Sequence, residues 1–177
     1  RTASLDAGSV HRWLTLAADS NRFLWVSPRA GLLIVQSERP LDRAALGRGI
    51  DTLFAAERAL TFPQDARVEL TGIVAPTKAE FQRGRRGKIR ALPAEDVPAW
   101  ILRRLGSAVS IDGSLSIEAL SPAQGRKKDG TRTLTTRTSF HTYATVTNPD
   151  LLAELLLTGV GRGKRYGAGL ILAKEVA

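Results

Sequence analysis

The chain contains no cysteine, no methionine and two histidines among its 177 residues. Without cysteine there is no disulfide framework and no thiolate metal site. His11 and His141 cannot form a zinc site by themselves, so no metal and no cofactor are expected. No apolar run approaches the roughly 20 residues needed to cross a bilayer. The first residues lack the pattern of a signal peptide. The expectation is a soluble, cytoplasmic protein with no membrane association. The missing methionine also leads us to expect a further N-terminal stretch before Arg1.

What the chain has in excess is positive charge. Lys and Arg number 26 against 17 Asp and Glu, giving a formal net charge of +9 and a pI near 10.8. Such a bias concentrates polyanions at the surface and speeds encounter with nucleic acid. It does not separate RNA from DNA or from an anionic membrane. The hydrophobic fraction of 43% can fill a core, and the length suits one large domain or two small ones.

Hydrophobic spacing gives a coarse order of elements. Ser4 or Ser9 is placed to cap a helix reaching about Ala18, with Val10, Trp13, Leu14 and Ala17 at helical spacing. Phe23 to Val26 and Gly31 to Val35 read as a hairpin turned by Ser27-Pro28-Arg29-Ala30. Leu41 to Leu60 is Ala-rich and reads as loosely helical. Val68, Leu70, Ile73 and Val74 mark a strand stopped by Pro76. Arg83, Arg85, Arg86, Lys88 and Arg90 then form a glycine-punctuated basic stretch, read as an inter-domain linker over 81–90. Ala94 to Leu105 is a helix with Val97, Ile101, Leu102 and Leu105 on one face and Pro98 in its first turn. Leu115 to Leu120 alternates as a strand, Arg126-Lys127-Lys128-Asp129-Gly130 is a basic turn, and Thr131 to Val146 is β-rich. Asn148 as N-cap and Pro149 at the first helical position open a helix that Gly159 ends. Leu170 to Leu172 is the last strand.

The second half therefore reads as strand, helix, strand, strand, helix, strand, the ferredoxin-like order. The first half reads as helix, strand, strand, helix, strand and lacks an opening strand. The expected fold is α+β, with two tandem ferredoxin-like (RRM-like) domains. Residues 1–80 form the first, carrying His11; residues 91–177 form the second, carrying a basic hairpin and a glycine-rich loop.

That loop, Gly159-Val160-Gly161-Arg162-Gly163-Lys164-Arg165-Tyr166-Gly167-Ala168-Gly169, lies between a helix and a strand. Its glycines allow φ > 0 and close approach to the backbone. Arg162, Lys164 and Arg165 supply cations, Tyr166 can stack, and exposed backbone N–H groups would suit phosphates. It is not a Walker A loop, because Thr158 stands where the first glycine belongs and Arg165 follows the lysine. It is not a dinucleotide fingerprint either, since Lys164 and Tyr166 break the G-x-G-x-x-G spacing.

The run resembles the C-terminal glycine-rich loop of the repeat-associated RNA-processing proteins of CRISPR systems. Other segments, in the same order, narrow the resemblance to the CasE (Cse3) family. Val10-His11-Arg12 is similar to its histidine helix, and Leu33-Ile34-Val35-Gln36-Ser37 to one of its strands. Val74-Ala75-Pro76-Thr77-Lys78 resembles a strand end, Lys128-Asp129-Gly130 a basic hairpin, and Asn148-Pro149-Asp150 a helix start.

The resemblance implies two ferredoxin-like domains and a metal-independent endoribonuclease that binds the CRISPR repeat stem-loop. It implies cleavage of precursor crRNA with the RNA 2′-OH as nucleophile, leaving a 2′,3′-cyclic phosphate and a 5′-OH. The product stays bound in the Cascade complex. The implied partners are the crRNA 3′ stem-loop and other Cascade subunits, especially the backbone subunit nearest the crRNA 3′ end. The alternatives are a non-catalytic subunit that only holds the stem-loop, or a general nucleic-acid-binding protein of ribosomal type.

Histidine suits acid or base work because its unperturbed pKa is about 6.5. His11 matches the family's catalytic histidine. It falls in the first turn of its predicted helix, where the dipole favours neutral imidazole. Some members carry a tyrosine three residues earlier and a lysine five residues later; this chain has Gly8 and Leu16. Arg12, Arg22 and Lys164 are candidates for stabilising the phosphate. Candidate RNA contacts are Arg83, Arg85, Arg86, Lys88, Arg90, Arg126, Lys127, Lys128, Arg162, Lys164 and Arg165, as cations along an A-form backbone. His141, beside Phe140 and Tyr143, reads as structural.

Overall fold

Asp6 starts the first helix, α1 (Ala7–Ala17), by accepting from the backbone N–H and the hydroxyl of Ser9, both at 2.9 Å. A short carboxylate at the N-cap satisfies an orphan donor of the first turn. The cap is thus Asp6; Ser9 is already helical, and Ser4 lies outside the described residues. The computed structural model describes residues 6–20, 22–46, 54–80, 84, 87–126 and 130–176.

The hairpin that follows is β1 (Phe23–Val26) paired with β2 (Ile34–Ser37), with Val26 opposite Ile34. The second strand begins later than the apolar pattern suggested, because the turn spans residues 27–33. In the Ala-rich stretch, helix is confined among the described residues to α2 (Arg43–Leu46). Residues 47–53 lie outside the described set, and 54–60 are not helical. Alanine gives propensity, but a helix this short needs packing to persist. Tertiary contacts hold the later part instead: Arg58 donates to the Ala173 carbonyl, while Leu60 and Phe62 pack against the main core.

The long strand β3 (Arg67–Val74) decides the architecture. It pairs antiparallel with β8 (Arg132–Val146) on one side and β9 (Ile171–Glu175) on the other. The sheet runs β6 (Val109–Ile111), β8, β3, β9, with β7 (Ser116–Arg126) also paired to β8. Two helices, α3 (Val97–Leu105) and α4 (Pro149–Thr158), complete the unit. The chain order β3, α3, β6/β7, β8, α4, β9 is ferredoxin-like, with its opening strand supplied by β3. The sequence pattern had closed the first half on this strand; its hydrogen bonds belong to the second.

Beyond Pro76, described residues on either side of the basic stretch pair with each other. β4 (Thr77–Ala79) pairs with β5 (Ile89–Ala91), and the Glu80 N–H donates to the Lys88 carbonyl at 2.8 Å.

One face of the sheet carries the core. Val68, Leu70 and Val74 of β3, Phe140, Ala144 and Val146 of β8, and Ile171 and Ala173 of β9 meet α3 and α4 there. These residues alternate along their strands, as a sheet with one helix-covered face requires. On the opposite face, Ile73 and Leu170 pack on Leu24 and Val26 of the hairpin. Phe23 and Trp25 point the other way, against Val10, Leu14 and Ala17 of α1. The hairpin therefore lies between α1 and the sheet, with all four residues of β1 buried. Among the described residues no helix is long and apolar enough to cross a membrane.

Candidate active site

His11 sits in the second turn of α1, not the first, so the helix dipole is not what sets its charge. Its pKa is lowered from 6.5, first by burial and second by the positive charge of Arg165. The direction is the one expected of a base held neutral; the cause differs. The ring lies 5.2 Å from that of Phe23, tilted by 37°. Its Nδ1 is buried with no hydrogen-bond partner. Imidazolium would add a charge beside that enclosed nitrogen, which burial makes costly. Nε2 is the nitrogen left to exchange protons with a ligand.

Arg165 arrives from the glycine-rich loop that joins α4 to β9. Lys164–Tyr166 form one 3-10 turn between Gly163 and Gly167, both in left-handed conformation. This turn packs against α1, and Tyr166 joins the cluster that holds Val10 and Leu14. The glycines serve packing more than ligand approach. A Cβ on Gly167 (φ 72°) would lie 2.7 Å from the Trp25 ring, and one on Gly161 (φ 73°) 2.8 Å from Trp100. Much of the backbone is also spent internally. The N–H groups of Val160 and Gly169 donate to the carbonyls of Gly169 and Ile73, at 2.8 and 2.6 Å. The Tyr166 and Ala168 amides donate to Gly163 at 2.7 and 3.2 Å. These amides are not open to a phosphate; what faces outward is the charge of Arg162 and Arg165.

Lys164 turns the other way. Its ammonium donates to the Thr158 carbonyl at the end of α4, where a cation complements the helix dipole. Gln36 of β2 donates to the Leu156 carbonyl at 2.8 Å. The α4 terminus thus ties the loop to the hairpin.

The third wall is the far end of β7 and β8. Arg126 stands opposite Arg132 across the ladder. A Cβ on Gly125 would come within 2.5 Å of the Tyr166 ring, and one on Gly8 would lie 3.9 Å from both the Arg126 amide and the Arg12 guanidinium. His11, Arg12, Arg126 and Arg165 are therefore gathered where α1, the loop and this hairpin meet. Arg162 forms an isolated bridge with Ala75, just before the β4–β5 hairpin that carries Lys88 and Arg90. Arg90 pairs with Glu80 at 2.6 Å, and Arg12 donates to the Ser9 hydroxyl at 2.9 Å. Arg22 lies next to Phe23 and pairs with Glu38 at 3.4 Å. Arg83, Arg85, Arg86, Lys127 and Lys128 lie outside the described residues.

The model of a family described as CRISPR associated protein matches residues 2–174. The chain belongs to that family. The CasE (Cse3) resemblance read from the sequence agrees with it. Among solved structures, the CRISPR endoribonuclease Cse3 bound to a 19 nt RNA is 24% identical, with a TM-score of 0.81 over 96% of this chain and 90% of that one. Cas6e from Escherichia coli str. K-12 is 17% identical, with a TM-score of 0.76 over 97% and 93%. Thermus thermophilus Cse3 bound to an RNA representing a pre-cleavage complex is 22% identical, with a TM-score of 0.78 over 96% and 89%. The fold is theirs, two tandem ferredoxin-like units. No curated protein matches the chain.

In this CRISPR associated protein the two departures from the family pattern have a local setting. Gly8 is buried, and a Cβ there would lie 3.3 Å from the capping oxygen of Asp6. Leu16 is 72% exposed. His141 is held by Glu69 at 2.9 Å and lies edge-on to Tyr143. The sequence singled out Gln36 only as part of a motif, and Arg165 as an RNA contact rather than as a charge acting on His11. Their pairing with α4 and with His11 joins residues far apart in the chain, which no local spacing signals.

Proposed function

We propose that this protein is a metal-independent endoribonuclease that binds a CRISPR repeat stem-loop, cuts precursor crRNA and stays bound to the product. Its partners on this reading are the crRNA 3′ stem-loop and the other subunits of the Cascade complex. The solved Cse3 relatives carry RNA, and the fold is also found in a CRISPR RNA-guided surveillance complex, 22% identical with a TM-score of 0.71.

The observation that carries the reading is His11: half-buried, its pKa lowered by burial and by Arg165 of the glycine-rich loop, with one ring nitrogen enclosed. In the reaction it takes the proton of the RNA 2′-OH. The 2′-oxygen attacks the adjacent phosphorus, the bond to the 5′-oxygen breaks, and the departing oxygen takes a proton from solvent water. Arg165, Arg12 and Arg126 stabilise the charge on the phosphorane. A 2′,3′-cyclic phosphate and a 5′-OH result.

The test uses repeat RNA in EDTA with wild type and His11→Ala. Wild type cuts, the variant does not, and both bind alike. A single 2′-deoxy substitution at the cut site stops cleavage and leaves binding intact. Binding without cleavage by wild type would select the RNA-holding alternative, for which Gly8 and Leu16 speak.

A further inference from the structure

At the other end of α1 a cleft of about 240 Å³ opens between the helix terminus and the start of the hairpin. Its walls are Ala18, Asp19, Arg22, Ser37, Glu38 and Arg39, together with Ser20. Two carboxylates and two guanidinium groups thus share one opening of mixed charge. Asp19 is held with φ 47°, left-handed backbone that an L residue rarely adopts. It closes the turn after the helix through its N–H to the Leu16 carbonyl at 3.4 Å. The Ser20 hydroxyl fixes the next step by accepting from the Arg22 N–H at 2.9 Å. Leu16, 72% exposed on the same last turn, leaves an apolar surface beside the opening.

Two short paths connect this cleft to His11. Along α1, His11 and Ala18 are seven residues apart, about 10 Å at helical rise. Through the hairpin, Arg22 directly precedes Phe23, whose ring lies 5.2 Å from that of His11. A nucleotide next to the one reacting at His11 falls within reach.

We propose that the cleft is a subsite for an unpaired RNA base beside the scissile phosphate. It grips the pairing edge of the base through Asp19 and Glu38 and the adjoining phosphate through Arg22 and Arg39. Carboxylates only accept hydrogen bonds when ionised, so they suit the amino and imino N–H donors on the pairing edge of a base. Guanidinium groups suit the phosphate. The exposed Leu16 side chain gives the base a surface to lie on. The inference rests on the proposed cleavage and adds a base-binding subsite to it.

The test compares repeat RNA with RNAs carrying one abasic ribonucleotide on either side of the cut. With wild type, one of the two abasic RNAs raises KM about tenfold with kcat held. With the double variant Asp19→Asn, Glu38→Gln, intact RNA shows the same rise and the abasic RNA shows no further one. An abasic penalty absent on both sides overturns the subsite, as does one of equal size in wild type and variant. Equilibrium binding of the same RNAs, 2′-deoxy at the cut, reads the subsite even if wild type proves not to cleave. Failure of the subsite and failure of the enzyme reading are then separate results.

Discussion

His11 and His141 are the two histidines of the chain, and they sit in opposite circumstances. His141 lies mid-strand in the central sheet, its Nε2 matched to Glu69 and its ring edge-on to Tyr143. His11 lies where three elements meet, with Nδ1 enclosed and unmatched and an arginine from a distant loop near enough to oppose its charge. The first histidine has its hydrogen-bonding needs met by its own neighbours. The second is kept short of a partner and short of protons. A satisfied histidine stabilises the fold; an unsatisfied one at a junction of cations is available for chemistry.

Replacing each in turn sharpens that contrast. His11→Ala is expected to slow single-turnover cleavage about 10²- to 10⁴-fold, the usual range for losing a general base, with RNA affinity kept. A loss below tenfold would break the distinction.

Next in size is Gly167→Ala. The new Cβ meets the Trp25 ring at 2.7 Å on a backbone with φ 72°, so the variant should lose about 1–3 kcal/mol of stability. This is read as a lower urea midpoint at unchanged m-value.

Arg165→Ala tests the electrostatic half of the argument. Arg165 lowers the His11 pKa, but burial does so more. The variant's acid limb in a pH–rate profile should therefore move up, toward 6.5 without reaching it. If the midpoint stays fixed while affinity falls, Arg165 contacts RNA only. The same shift has a sign for stability. The folded pKa lies below the unfolded one, so His11 costs stability as pH falls below 6.5 toward the folded value, and nothing above it. The smallest effect is expected from His141→Ala, under about 1 kcal/mol for a part-exposed pair, with cleavage unchanged.

Local chemistry was legible at several element ends, though the cap of α1 is Asp6 rather than Ser4 or Ser9. Asn148 caps α4 by accepting from the Leu151 N–H at 3.0 Å, with Pro149 behind it. Gly159 ends that helix, and the β-rich stretch 131–146 is the strand β8. The histidine helix and the glycine-rich loop were also legible as neighbours in function. What the pattern could not give is pairing over distance. Nothing in Val68–Val74 says that its partners are Thr138–Ala144 and Ile171–Glu175 rather than the hairpin before it. The basic stretch over 81–90 was charged and glycine-punctuated, which does not reveal that Thr77–Ala79 pairs with Ile89–Ala91. In the site, Lys164 reads as a phosphate ligand until its ammonium is found on the Thr158 carbonyl. Composition gives the charge of a side chain but not which way it turns.

The packing of the loop glycines has a practical side. Of the three tryptophans, Trp25 and Trp100 lie directly beneath Gly167 and Gly161, while Trp13 donates to the Ala45 carbonyl near α2. Any ligand that lifts or presses the loop must change the surroundings of two indole rings. The chain thus carries built-in optical reporters of that loop, readable by intrinsic emission without a label.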